Sequence, residues 1–129
     1  VLYPPVVRDL FEAGIDVHYL ANVTGHGWRK LMRARRELRY VLHAVPPLSP
    51  LFRFLVDRAG IDSAEAYATF NMGAGFAVYA PEADAARIVE IARARDITSW
   101  AAGHIEAGPR EVIVEPLGLR YASETLAVR

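Results

Sequence analysis

The apolar residues change period along the chain, from helical spacing to alternation and back, and glycine or proline stands at almost every change. This punctuation keeps each segment short and fixes the order of elements. Pro4 and Pro5 lead into Val6, Val7, Leu10 and Phe11 at helical spacing, proline being tolerated in a first turn, and Gly14 is a natural stop. Val17 to Val23, between Asp16 and Thr24-Gly25, alternates loosely and reads as a strand. Gly25-His26-Gly27 opens a helix over about Trp28 to Arg35, and Leu38 to Val45 is a β-branched and aromatic strand. Pro46, Pro47 and Pro50 force a connection. Leu51, Phe52, Leu55, Val56 and Ala59 line one helical face ending at Gly60, and Asp62 or Ser63 caps a short helix through about Phe70. Met72 to Ala80 is an apolar strand containing Gly73 and Gly75. Ala83 to Arg95 is an amphipathic helix after Pro81, followed by strands near Trp100 to Glu106 and Glu111 to Glu115, joined by a hairpin around Gly108-Pro109. The order implies an α/β (α+β) domain, a mixed sheet covered by helices.

With 129 residues, 53% apolar and 23% charged, the chain is read as a single domain able to bury one sizeable core. It has no cysteine, which excludes a disulfide framework, thiolate metal sites and a cysteine nucleophile, and the cytoplasm is the expected compartment. Apolar runs fall short of the roughly 20 residues of a membrane span, and Val1-Leu2-Tyr3-Pro4-Pro5 lacks the features of a signal peptide. The abrupt start suggests a fragment of a longer protein.

Basic and acidic residues number 15 each, and this neutrality argues against a dedicated nucleic-acid binder. Locally the balance differs. Arg29, Lys30, Arg33, Arg35, Arg36 and Arg39 share a short stretch with Glu37 alone among acids. It reads either as a solvated helix face or as an electropositive patch for phosphate. His18, His26, His43 and His104 lack the spacing of metal ligands, and no metal site is expected.

Chemistry concentrates in Asn22-Val23-Thr24-Gly25-His26-Gly27-Trp28-Arg29-Lys30, where a strand runs through a glycine turn into a helix. Such a turn presents backbone N–H groups to an anion, with Arg29 and Lys30 adding attraction. It also reads as an ordinary tight turn with Thr24 as cap. In Phe70-Asn71-Met72-Gly73-Ala74-Gly75-Phe76, glycine within a strand marks either close approach of a ligand or a bulge and tight packing. No Walker loop, Rossmann fingerprint or Ser-His-Asp order is present.

At these residues the sequence resembles the C-terminal domain of phosphoribosylformylglycinamidine cyclo-ligase (aminoimidazole ribonucleotide synthetase) and its superfamily. The likeness runs through Asn22-Val23-Thr24-Gly25-His26-Gly27, Pro50-Leu51-Phe52-Arg53-Phe54-Leu55 with Ala59-Gly60-Ile61, Glu65-Ala66-Tyr67-Ala68-Thr69-Phe70-Asn71-Met72-Gly73-Ala74-Gly75, and Ala102-Gly103-His104-Ile105-Glu106-Ala107-Gly108. The resemblance implies a ligase of purine biosynthesis that uses ATP and Mg, bound mainly by an N-terminal domain absent from this chain, to close the imidazole ring. It also implies a homodimer and a small phosphorylated ribonucleotide as partner, while the charge balance and short apolar runs argue against nucleic acid and membrane. His26 would orient the ligand or transfer a proton. Asn22, Thr24, Gly25, Gly27 and Arg29 would hold its phosphate, and Asn71, Gly73 and Gly75 would shape the cleft floor.

One departure bears on the chemistry. The family pattern in the first block is His-Ile-Thr-Gly-Gly-Gly, whereas here Asn22 takes the histidine position and His26 the middle glycine. Either His26 supplies the imidazole, or the chain is a paralogue with altered substrate or a ligand-binding or assembly module. Superfamily members such as thiamine monophosphate kinase, selenophosphate synthetase and a hydrogenase-maturation protein share the fold with other acceptors, so fold transfers more safely than substrate.

Overall fold

A computed structural model describes residues 1–126. Along these residues run helices α1 (Pro4–Glu12), α2 (Pro50–Ala59), α3 (Ser63–Thr69) and α4 (Ala85–Arg93). The strands are β1 (Tyr19–Asn22), β2 (Leu38–Leu42), β3 (Phe76–Tyr79), β4 (Gly103–Ala107), β5 (Glu111–Val114) and β6 (Leu119–Ala122). The chain divides into two compact units, one of Val1–Leu20 with Val78–Ala101, the other of Ala21–Ala77 with the chain from Ala102 onward.

In the first unit, α1 starts on the prolines and stops at Gly14, whose φ of +73° suits glycine. The Ile15 N–H donates to Leu10 O and the Gly14 N–H to Phe11 O, both at 3.0 Å. This paired closure satisfies two end carbonyls and brings Ile15 beside Leu10. Val6, Leu10, Ile15 and Ala92 form the buried cluster, with Ile88 and Ile91 of α4 packed against it. Helical spacing on both helices thus supplies one core. Arg95 donates from Nε and Nη2 to the two Asp9 carboxylate oxygens at 2.6 and 3.0 Å. Hydrogen bonding to Arg95 holds the Asp9 carboxyl below its ordinary value.

The second unit holds a four-stranded sheet in the order β4-β2-β5-β6. β2 is antiparallel to β4 and parallel to β5, and β5 is antiparallel to β6, so the sheet is mixed. The period of two puts Tyr40 and Leu42 on one face with Val112, Val114 and Tyr121, all buried. Burial pushes the Tyr121 phenol up to about 12, and its O–H donates to Ala64 O at 2.7 Å. Gly103 is required where β4 meets β2, because an added Cβ would overlap the Val41 carbonyl and lie 2.8 Å from Leu42 Cα. Asp62 Oδ1 caps α3 by accepting the Glu65 N–H at 2.8 Å.

The order of helices and strands follows the sequence reading, with five main differences. The strand expected over Met72 to Ala80 is confined to Phe76–Tyr79, and Gly73 and Gly75 lie in the turn and extended chain before it, where the positive φ of Met72 and Gly73 breaks the strand. The helix expected over Trp28 to Arg35 is a 3-10 helix at Gly27–Met32, whose Trp28, Leu31 and Met32 are buried. The hairpin expected at Gly108-Pro109 is not formed, since β2 lies between β4 and β5 and takes hydrogen bonds from both. Strand β6 was not anticipated. The expected apolar face of α2 contributes no buried residue, and Leu51 is 63% exposed. Spacing reports which residues share a face, not what covers it.

Candidate functional site

The site lies in the second unit, where the glycine turn meets the segment between α3 and β3. The Val23 N–H donates to Gly75 O at 2.9 Å, laying the end of one stretch against the start of the other. Beyond this link Val23, Thr24, Gly25, Phe52, Thr69, Phe70 and Asn71 line a groove of about 330 Å³. Its walls combine two hydroxyls, an amide and two phenyl rings, with Phe52 and Phe70 centred 6.4 Å apart and inclined at 48°. None of the seven lining residues is acidic. The Gly25 N–H has no acceptor among the described residues, and a Cβ there would meet nothing within 4 Å. A ligand backbone or phosphate can approach this glycine closely.

Gly27 does a different job. Its φ is +53°, its N–H donates to Thr24 O at 2.7 Å, and an added Cβ would overlap Tyr67 O and lie 2.6 Å from the Ala68 carbonyl carbon. The second glycine therefore lets the turn pack on the end of α3. Trp28 fixes the same junction. Its indole N–H donates to Asn71 O at 2.7 Å, and its ring meets Tyr67 edge-on at 4.9 Å. Met72 accepts a φ of +48° while its side chain is buried, and Asn71 Oδ1 receives the Gly73 N–H at 3.0 Å. This tight turn sets Asn71 at the groove.

Of the residues expected at a site, Thr24, Gly25 and Asn71 come together in the groove. Asn22 is the exposed last residue of β1, and Gly75 holds its backbone link through Val23. Gly27, Gly73 and Arg29 lie outside the lining. Arg29 donates from Nε to Ala68 O at 3.0 Å and from Nη1 to Thr125 O at 2.6 Å, so its guanidinium ties backbone segments together. His26 precedes the 3-10 helix, is half-buried, and its ring bonds to no described residue.

A second polar cluster, unforeseen from sequence, crosses the other face of the sheet. His43 Nδ1 lies 2.5 Å from Glu115 Oε2, His43 Nε2 lies 2.7 Å from His104 Nδ1, and His104 Nε2 lies 3.3 Å from Glu106 Oε2. The nitrogen pair requires a proton on one member and not on both. Arg39 then bridges Glu106 at 2.8 Å and Glu111 at 2.7 Å, while Arg120 reaches Glu111 at 2.5 Å. Burial pushes the Glu111 carboxyl up, but hydrogen bonds from Arg39 and Arg120 outweigh it and the group sits below its ordinary value. Hydrogen bonds from Arg39 and His104 lower Glu106 likewise. The pairing register of Arg39 with Glu106 and Glu111 brings the charges together, which linear spacing did not reveal. Among the described residues no group of three or more His, Asp or Glu side chains is arranged to hold a metal ion.

Comparison with known proteins defines the class. Residues 6–115 match the family model for AIR synthase related protein, C-terminal domain, and the chain belongs to that family. Among curated relatives it is 36% identical over 105 residues to the phosphoribosylformylglycinamidine cyclo-ligase of Methanococcus maripaludis strain C5, covering 81% of this chain and 30% of that protein. It is 42% identical over 82 residues to the same-named protein of Methanothermobacter thermautotrophicus, covering 63% of this chain and 24% of that one. The chain thus spans less than a third of the length of these relatives. The crystal structure of E. coli HypE, a hydrogenase maturation protein, matches all of this chain and 41% of that one, with a TM-score of 0.68 and 16% identity. That likeness establishes the shared α+β fold. No helix among the described residues is long and apolar enough to cross a membrane.

Proposed function

We propose that this chain serves as the C-terminal domain of an ATP-dependent cyclo-ligase converting formylglycinamidine ribonucleotide to aminoimidazole ribonucleotide, in a cytoplasmic homodimer. The observation that carries this reading is the groove, in which Thr24 and Gly25 meet Asn71 although they come from separate stretches of the chain that both resemble cyclo-ligases. The Gly25 N–H and the Thr24 hydroxyl are donors for the substrate's phosphate. Phe52 and Phe70 shield one side of the ligand from water, and His26, on the neighbouring turn, is the imidazole nearest in sequence for orienting the ligand or moving a proton.

ATP would supply the phosphoryl group that activates the formyl oxygen. A hard divalent cation takes oxygen ligands, usually with carboxylates among them. The groove's lining residues include no carboxylate and do not fit magnesium, so ATP and Mg belong, in this proposal, to a partner domain. The gene should rescue a purine auxotroph lacking the cyclo-ligase, and Thr24→Val should weaken that rescue; failure of the unaltered gene to rescue would refute the activity. The Asn22 and His26 departures favour one alternative, a binding module that takes the same ligand without catalysis. It predicts ligand binding without rescue.

A further inference from the structure

Six basic side chains crowd residues 29–39, yet the fold commits them differently. Arg29 is held by backbone carbonyls of Ala68 and Thr125, and Arg39 is forked between Glu106 and Glu111. Lys30, the chain's only lysine, follows neither pattern. Its Nζ donates to Thr24 Oγ1, and no carboxylate among the described residues pairs with it. An ammonium carries three N–H donors, and this contact uses one of them. The Thr24 oxygen accepts from Nζ, which leaves the hydroxyl's own proton to donate elsewhere. Thr24 is at the same time part of the groove wall. Lys30, although not itself a lining residue, thus sits beside a hydroxyl donor of the groove wall, none of the lining residues is acidic, and the phenyl rings of Phe52 and Phe70 lie on the same wall.

We infer that Lys30 and Thr24 form the anion-selecting end of the groove, taking the phosphate monoester of a ligand whose planar body lies against Phe52 and Phe70. This rests on the groove being the ligand site and assigns its selecting charge to Lys30 rather than Arg29. A single charge held by a neutral hydroxyl is available to a ligand at no cost of breaking an ion pair. The inference therefore concerns selectivity, namely phosphorylated over dephosphorylated forms of the same sugar.

The single lysine allows a direct test on the 129-residue chain. An amine-reactive acylating ester has two kinds of target, Lys30 and the α-amine, and mass spectrometry separates them. Ribose 5-phosphate should slow acylation of Lys30 several-fold and leave the α-amine unchanged, while ribose slows neither. Lys30→Gln should weaken ribose 5-phosphate binding roughly tenfold, the loss expected for one charge-assisted hydrogen bond, and Lys30→Arg should restore most of it. Trp28 fluorescence, recorded in the same titration, separates two failures. A saturable fluorescence change without protection of Lys30, or equal protection by ribose, overturns the inference and leaves the groove as the site. No response in either readout overturns both.

Discussion

The groove and the charged face of the sheet belong to the same unit and are built on opposite rules. On the sheet face, Glu115, His43, His104, Glu106, Arg39, Glu111 and Arg120 form an unbroken chain of contacts, in which Arg39 and Arg120 answer the Glu106 and Glu111 carboxylates. The groove is walled by hydroxyl, amide and aromatic side chains, and Lys30, which lies outside the lining and donates to Thr24 on the wall, has no acidic partner among the described residues. The density of titratable groups is higher on the sheet, yet those groups are already satisfied by one another. Under the proposed function, it is a cation without an acidic partner beside a groove, not the number of charges, that points to the ligand.

Substitutions that separate packing from binding test this contrast most strongly. Gly27→Ala should lower stability by about 3 kcal/mol in urea unfolding, since the new methyl overlaps the end of α3 and the backbone has positive φ. Gly25→Ala, with open space around it, should stay within about 0.5 kcal/mol, and any loss should fall on ligand affinity. Equal stability of the two variants would remove the distinction drawn between the glycines.

Glu111→Gln comes next, at about 2 kcal/mol, because two guanidiniums lose a charge-assisted partner that is only 1% exposed. Thr24→Val should leave the unfolding midpoint unchanged and abolish ligand response, the reverse pattern.

Acid titration sharpens the same point. Glu106 and Glu111 have folded values below the ordinary 4.5, and Asp9 in the other unit lies below 3.8. A carboxyl lowered by folding stabilises the protein fully above its unfolded value and loses that contribution as pH falls through its folded value. Stability should therefore hold down to about pH 5 and fall below it, with a shallower fall in Glu111→Gln. A profile flat to pH 3 would contradict the ion-pair assignments. The smallest effect is expected for His104→Ala, within about 0.5 kcal/mol, because both imidazoles are about half exposed.

Local signals in the sequence were read well where a residue's own neighbours decide the structure. Gly14, Asp62 and Gly60 end or cap helices as their chemistry requires, and five of the strands overlap the expected segments, though β3 begins only after the glycines expected inside it. Long-range choices were not legible. Nothing local to Gly108-Pro109 discloses that β2 inserts between β4 and β5, and Leu119-Arg120-Tyr121-Ala122 is too short to declare itself a strand. His43 and His104 are 61 residues apart and meet only through the register of β2 with β4. Thr24, Gly25 and Asn71, expected at a site from sequence, share one groove wall, but the contrast between Gly25 and Gly27 depends on α3, which packs against only one of them. Arg29 was expected near phosphate on charge alone, and the carbonyls that hold it come from distant residues.

The groove is tested most directly by Trp28 fluorescence in a Trp100→Phe background, because the Trp28 indole is bonded to Asn71 at the groove's edge. Formylglycinamidine ribonucleotide and aminoimidazole ribonucleotide should each give a saturable change that Thr24→Val abolishes. The same change in Thr24→Val, or no change with either ribonucleotide, would contradict ligand binding at this groove.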